Sequence, residues 1–138
     1  GTNGIQAMDL VGRKMMDGGE AAFRLIDEVQ AAAEAARAEV PDLSKDVWTA
    51  AEALREGTEA LIAMPGHDRN AGAVPYLRAF ARVLGAHYHL AAALVDPERM
   101  PLARFAIRRL LPEHAALLAQ VREGAEGLYA VTPEVLAG

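Results

Sequence analysis

The sequence predicts an all-α protein, an antiparallel up-and-down four-helix bundle preceded by a short N-terminal helix. Hydrophobic residues make up 52% of the 138-residue chain but aromatic residues only 5%, so Ala, Leu and Val supply most of the apolar mass. That composition favours helices. Apolar residues recur at steps of three and four over four long stretches that are separated by short turns rich in Gly and Pro. No stretch alternates apolar and polar residues in the way that predicts a strand.

The N-terminal segment combines a glycine-containing turn with an apolar helix. Asn3 and Gln6 fit a capping box at the start of this helix, and a glycine-rich turn ends it near Met16. We therefore expect residues 1–17 to form one segment and residues 18–138 to form the bundle domain. The apolar residues of the segment lie on one helical face: Ile5, Met8, Val11 and Met15.

The first two helices of the predicted bundle are bounded by prolines. One helix runs from about Glu20 to Val40, because the proline that follows disfavours helical geometry in the residue before it. Ser44 is the expected N-cap of the next helix, which ends at Met64 before a Pro-Gly pair.

The polar segment 65–74 is predicted to be a loop, and Pro75 suits the first position of the third helix. The fourth helix begins near Pro101. Pro112 falls inside its apolar pattern, and the pattern continues beyond it, which predicts a kink rather than an end. Residues 129–138 are expected to form a tail. The third helix has an apolar stripe that we expect to face the core: Leu77, Phe80, Leu84, Tyr88, Ala91 and Val95.

Composition and charge exclude several classes of function. The net charge of −5 argues against nucleic-acid binding, which needs a basic face. No segment reaches the roughly 18 apolar residues of a membrane span, and no signal segment opens the chain. The absence of cysteine excludes a thiolate nucleophile and a Cys-ligated zinc site. We expect a cytoplasmic protein without nucleic-acid or membrane partners.

The polar residues of the predicted bundle do not define a catalytic or metal site. His87 and His89 are two residues apart on a helix, so they point in different directions and cannot share a metal ion. A histidine phosphotransfer function of His87 has only faint support, because no lysine follows it. Five arginines are expected to form a solvated face, with an anionic ligand or an acidic partner as the alternative: Arg78, Arg82, Arg104, Arg108 and Arg109.

The turn Gly1-Thr2-Asn3-Gly4 is different, because small residues before a helix let backbone N–H groups approach a phosphate. A simple capped helix start would use the same residues.

The turn and its helix together, GTNGIQAMDLVGRKMM, resemble the C-terminal segment of FAD-dependent acyl-CoA dehydrogenases. In that family a catalytic glutamate is followed by Gly-Thr, a variable pair and Ile-Gln. The resemblance extends to the subfamily with an added C-terminal helical domain, typified by methylthiopropanoyl-CoA dehydrogenase. Three later stretches are similar to that domain: residues 74–77, 103–113 and 124–128.

The resemblance implies a parent enzyme in which a carboxylate removes the α-proton of an acyl-CoA while the β-hydride passes to FAD, with a separate electron acceptor. The base would stand immediately before Gly1. Gly1 would contact the substrate, and Thr2, Asn3 and Gly4 would contact FAD, often across a subunit boundary of a homo-oligomer. The chain alone would then be an inactive accessory bundle. The alternative is a free-standing helical module for protein interactions, with no catalytic role.

Overall fold

A computed structural model describes residues 19–124, and every regular element in that range is helical, as an all-α chain predicts. No strand occurs between residues 19 and 124. No helix in this range is long and apolar enough to cross a membrane. The predicted N-terminal helix and tail lie outside the described residues. The helices, in chain order, are α1 (Glu20–Ala36), α2 (Pro41–Ala63), α3 (Gly66–Val95), a 3-10 turn (Pro97–Arg99), α4 (Met100–Phe105), a π-helical turn (Ala106–Leu110) and α5 (Glu113–Glu123).

Helix α1 begins at a position that only glycine can occupy without strain. Gly19, its N-cap, has a φ of 79°, and a Cβ there would lie 2.6 Å from Cδ1 of Ile62. The helix ends at Ala36 rather than at the predicted Val40, and residues 37–39 form a turn. The buried face follows the predicted helical spacing: Ala22, Ile26, Val29, Ala33 and Ala36.

The prediction that Ser44 caps α2 is wrong. Helix α2 begins three residues earlier, at Pro41, because a proline at the first helical position loses no intrahelical hydrogen bond. Ser44 therefore lies inside the first turn and is only 3% exposed. Its hydroxyl donates a hydrogen bond to the carbonyl oxygen of Ala33, which joins the start of α2 to the end of α1.

The predicted loop 65–74 is the first part of α3, which begins at Gly66 and contains Pro75 in its interior. An interior proline costs a helix about 3 kcal/mol, so packing has to offset it. Gly72 supplies such packing, because its Cα region fits closely against two neighbouring helices. A Cβ there would lie 3.2 Å from Cδ1 of Leu61 and 3.5 Å from Cγ1 of Val121. The polar composition of residues 65–74 predicted a loop. The segment is helical instead, because Gly72 and Ala73 are buried and Gly72 packs against α2 and α5.

The fourth predicted helix is interrupted before Pro112. Leu111 and Pro112 keep right-handed helical dihedral angles, so the chain continues in a helical path. The N–H of Leu111 donates to the carbonyl of Ala106, five residues back, at 2.9 Å. A wider π turn moves the preceding carbonyls away from the proline ring, which would clash with them in a regular helix. The apolar pattern continues past Pro112 as predicted, but the helix is interrupted there by a π turn and a two-residue turn.

Cross-helix contacts give the direction of neighbouring helices. Ser44 at the start of α2 meets the end of α1, whereas Ile62 near the end of α2 meets Gly19, so α1 and α2 are antiparallel. Thr58 of α2 bonds Tyr76 of α3, and Leu61, later in α2, lies beside Gly72, earlier in α3. Helices α2 and α3 are therefore antiparallel as well. One core of mainly aliphatic side chains links α1, α2, α3, the π turn and α5.

Two helical glycines should respond differently to alanine. Gly85→Ala is expected to raise the free energy of unfolding by up to about 1 kcal/mol, because alanine is the better helix former and a Cβ at Gly85 would meet no atom within 4 Å. Gly57→Ala is the matched control, since its Cβ would lie 2.7 Å from Cδ2 of Leu118 and force that side chain to shift. Urea unfolding followed by circular dichroism at low protein concentration measures both. Equal stabilisation by the two changes would contradict the packing described.

Candidate interaction surface

The residues predicted to form a site lie outside the described part of the chain. Gly1, predicted to contact the acyl-CoA substrate, precedes residue 19, as do the predicted FAD contacts Thr2, Asn3 and Gly4. Their roles stay predictions. The polar groups, cavities and surfaces of residues 19–124 show what the rest of the chain can do.

Arg55 is the centre of a polar network between α1 and α2. Its guanidinium donates to Oδ1 of Asp27 at 2.6 Å and to Oε1 of Gln30 at 2.8 Å. Glu52 on its own helix lies 3.5 Å away. The bond to Asp27 is the main cause that raises the pKa of Arg55 above its ordinary value, while partial burial opposes it. The network joins two helices and leaves no free base.

The predicted arginine face is exposed, but four of its five arginines hold carboxylates of other helices. Arg78 and Arg82 on α3 each donate to Glu113 on α5 at 2.9 Å. Two further arginines, Arg104 and Arg108, each donate to Oδ2 of Asp42 on α2 at 3.0 Å. The donors of these four arginines are therefore already engaged by carboxylates of the chain itself, although each pair of arginines shares one carboxylate.

The pairing around Asp42 also changes its ionisation. The bonds from Arg104 and then Arg108 lower the pKa of Asp42 to about 2. Asp42 is solvent-exposed, and exposed pairs of this kind contribute little to stability. Their effect is to hold α4 and the π turn beside the start of α2.

The histidines do not form a metal site. Among the described residues, no three His, Cys, Asp or Glu side chains are grouped so that they could hold a metal ion. Burial lowers the pKa of half-buried His87, and its ring lies 5.0 Å from that of Tyr88. Nδ1 of His114 lies 2.7 Å from the carbonyl oxygen of Leu111, at the start of α5.

A buried hydroxyl pair joins α2 to α3. Oγ1 of Thr58 lies 2.8 Å from the hydroxyl of Tyr76, and both residues are at most 2% exposed. Thr58 uses its single hydrogen to donate to the carbonyl of Leu54, so Tyr76 is the donor of the shared bond. Burial raises the pKa of Tyr76 to about 12. In the sequence, the one sign of this pair is that Thr58 stands among the apolar residues of α2.

The described cavities are open depressions lined by mixed side chains. The two larger ones, of about 500 and 470 Å³, share Lys45 and Thr49 on α2. Arg108 lines one of them but is paired with Asp42 and Asp46. Neither cavity brings together a group of unpaired polar side chains that would define a catalytic site.

The largest departure from the predicted core concerns α3. The fully buried residues of α3 lie beside the predicted stripe rather than on it: Gly72, Ala73, Tyr76, Ala79, Val83, Ala86, Leu90 and Ala93. Leu77, Phe80 and Leu84 of the predicted stripe are half-buried and pack against the core, as predicted. Tyr88, Ala91 and Val95 of the stripe are exposed instead. Val74 is 42%, Tyr88 58% and Val95 87% exposed.

Further exposed apolar side chains lie on α4 and the π turn. Leu102 and Phe105 are about half exposed, and Leu110 is 37% exposed. A cavity of about 150 Å³ lies between α3 and the π turn, lined by Ala81, Arg82, Gly85, Ala86, His89, Ala106 and Leu110.

Tyr76→Phe tests the buried hydroxyl pair. We expect the free energy of unfolding at neutral pH to fall by about 1 kcal/mol, because Thr58 loses its donor inside the core. The raised pKa of Tyr76 also makes the fold lose stability as pH rises from about 10, the value in the unfolded chain, to about 12. The variant should lose less stability than the parent chain over that range. Urea unfolding at pH 7, 10 and 11.5 checks this, and identical pH dependence of the two proteins contradicts it.

Comparison with protein families gives a match over most of the chain. The model of the family described as acetyl-CoA dehydrogenase C-terminal like matches residues 25–132. This range extends from the first turns of α1 past the end of α5. No curated protein and no solved structure matches the chain. From the length of the family match, the chain belongs to the acetyl-CoA dehydrogenase C-terminal-like family.

Proposed function

We propose that the chain is the C-terminal accessory bundle of an FAD-dependent acyl-CoA dehydrogenase of the methylthiopropanoyl-CoA dehydrogenase type, and that its own role is structural. The family match over residues 25–132 carries the proposal. In this proposal residues 18–138 form an up-and-down four-helix bundle whose fourth member is the interrupted α4–α5 unit.

The chemistry of the described residues supports a structural role. A general base needs an unengaged group near a pocket that a substrate can enter. Arg55, Asp42 and Glu113 each bind residues of another helix, so they hold the helices together. Tyr76 has a strongly raised pKa, but it is enclosed in the core and donates to Thr58. None of these four groups therefore has both the freedom and the access that acid–base catalysis requires.

The proposed active site of the parent enzyme includes the first four residues of this chain, Gly1 to Gly4. Gly1 is proposed to contact the thioester substrate, and Thr2, Asn3 and Gly4 are proposed to contact FAD through their backbone N–H groups. Bound FAD would accept the hydride from the β-carbon. The base is proposed to be a glutamate immediately before Gly1, in a homo-oligomeric parent that passes electrons to a separate acceptor.

The isolated 138-residue chain should be colourless and inactive. Because the proposed base and most of the flavin-binding walls are not among these residues, purified chain is expected to show no flavin absorbance. It should also give no acyl-CoA oxidation with an artificial electron acceptor. Stoichiometric FAD that co-purifies with the chain would contradict the proposal.

The codons upstream of Gly1 decide between this proposal and a free-standing helical module. A glutamate codon directly before Gly1, preceded by an aromatic residue, agrees with the dehydrogenase. A stop codon or an unrelated linker rules it out. The matched biochemical control is the same chain extended by its upstream coding sequence, which should bind FAD and oxidise acyl-CoA.

A further inference from the structure

We propose that residues 97–110, which comprise the 3-10 turn, α4 and the π turn, form a strap that opens and closes on the rest of the bundle, with Asp42 as its ionic latch. The inference goes beyond the proposed function, because it concerns contacts within the described part of the chain. These contacts are the same whether or not a dehydrogenase precedes it.

The strap buries little of its own surface. Ten of its fourteen residues are exposed, and only Ala103, Ala106 and Ile107 are buried. Ile107 is the strap residue that belongs to the main core cluster, and half-buried Met100 packs against that cluster. Because two of the three buried side chains are single methyl groups, hydrophobic burial holds the strap only weakly.

The helical turns of the strap are too short to be stable by themselves. Helix α4 has six residues and the π turn has five. Isolated helices of fewer than about 12 residues are marginal in water. The strap therefore keeps its structure through its contacts with the bundle, and it loses that structure when the contacts open.

Helical hydrogen bonding is interrupted at both ends of the strap. Asp96, at the end of α3, has extended dihedral angles, with φ −128° and ψ 98°, and Pro97 follows it. Pro112, just beyond the other end, precedes α5 and has no N–H group to donate. The strap can therefore move without breaking the hydrogen bonds within α3 or within α5.

Two arginines of the strap are bound to the start of α2. Arg104 and Arg108 each donate to Oδ2 of Asp42 at 3.0 Å, and Nε of Arg108 lies 3.3 Å from Oδ2 of Asp46. These side chains are between 38% and 50% exposed, so dissolved salt screens their attraction. The two arginines hold the pKa of Asp42 at about 2, so the latch stays charged near neutral pH and salt is what loosens it.

The strap lies between α2 and α3, and it separates two cavities. On the α2 side, Ile107 lines the cavity of about 470 Å³ together with Ala50. On the α3 side, Ala106 lines the cavity of about 150 Å³ together with Gly85. Opening of the strap would join these two spaces into one groove between α2 and α3.

Helix α5 is also short, but it is anchored more firmly than the strap. Its buried side chains are all larger than alanine: Leu117, Leu118 and Val121. Leu118 lies against Gly57 of α2, and Val121 lies against Gly72 of α3. We therefore expect α5 to stay packed on the bundle while the strap opens.

Native-state hydrogen exchange of the 138-residue chain, followed by NMR, tests the proposal. After correction for intrinsic rates, the amides of residues 103–110 should exchange at least tenfold faster than those of residues 79–90 in α3 and residues 117–121 in α5. A rise in NaCl from about 20 mM to about 500 mM should speed exchange in the strap, because it screens the latch. The same rise should leave the α3 amides unchanged.

Asp42→Asn tests the latch itself. The change removes the negative charge that Arg104 and Arg108 share, so exchange in the strap should become roughly two- to fivefold faster, as expected for exposed ion pairs. Asp27→Asn is the matched control, since it breaks an exposed pair with Arg55 between α1 and α2. It should leave exchange in the strap unchanged.

Thiol labelling gives a second, independent measurement. The chain has no cysteine, and Ala103 in the strap and Ala51 in α2 are both 0% exposed. The thiol introduced by Ala103→Cys should react with a soluble disulfide reagent at least tenfold faster than the thiol introduced by Ala51→Cys, because opening of the strap uncovers only the first. Circular dichroism should show the same helix content in both variants.

Several results would overturn the proposal. One is equal protection of the strap and of α3. Another is exchange of residues 117–121 at the rate of the strap, which would make α5 part of the same unit. Equal acceleration by Asp42→Asn and Asp27→Asn would contradict the latch, and equal labelling of the two thiols would contradict the opening. Flavin content and activity do not enter these measurements, so a failure here leaves the proposed function standing.

Discussion

The turn of α2 around Gly57, Thr58 and Leu61 is the place on which the fold depends, because all three other long helical units meet it. Gly19 at the start of α1 lies against Thr58 and Ile62. Tyr76 of α3 bonds Thr58, and Leu118 of α5 lies against Gly57. Such close approach requires a missing side chain at Gly57 and a fully satisfied hydroxyl at Thr58. Each helix is therefore positioned by its contact with the same turn of α2.

Helix α3 contributes the longest buried row to this arrangement. Its inner face is rich in alanine, including Ala79, Ala86 and Ala93, which lets neighbouring helices approach closely. Ion pairs at the rim then fix the remaining helices: Glu113 joins α5 to α3, and Asp42 joins α4 to α2. Leu77, Phe80 and Leu84 of α3 are half-buried and add to this packing from the side of the helix.

The sequence predicted the helical class and the end of α2, because Pro65 stops that helix for a local reason, but α1 ends at Ala36 rather than before Pro41. The start of α3 could not be predicted, since polar composition around residue 70 indicates a loop and only contacts with Leu61 and Val121 outweigh the cost of Pro75. The core face of α3 was predicted only in part, since Leu77, Phe80 and Leu84 pack against the core but Tyr88, Ala91 and Val95 are exposed. Periodicity gives the spacing of apolar residues but not which of two apolar faces packs inward.

The pairing of the polar side chains also could not be predicted from the sequence. The sequence marked the arginines as a group, but pairing across helices with Asp42 and Glu113 depends on tertiary contacts between residues 31 to 66 positions apart. The predicted substrate and FAD contacts, Gly1 to Gly4, rest on the resemblance of residues 1–16 to acyl-CoA dehydrogenases. The family match supports the same parent enzyme from residues 25–132. Thus the two lines of argument come from different parts of the sequence.

The central structural claim is that the turn of α2 around Gly57 and Thr58 positions the other helices. A double-mutant cycle of Thr58→Val and Tyr76→Phe, with free energies of unfolding from urea titration, tests the buried contact at this turn most directly. The account predicts a coupling energy of about 1 kcal/mol, because either change alone already breaks the bond between the two hydroxyl groups. Free energies of unfolding that simply add would contradict the account.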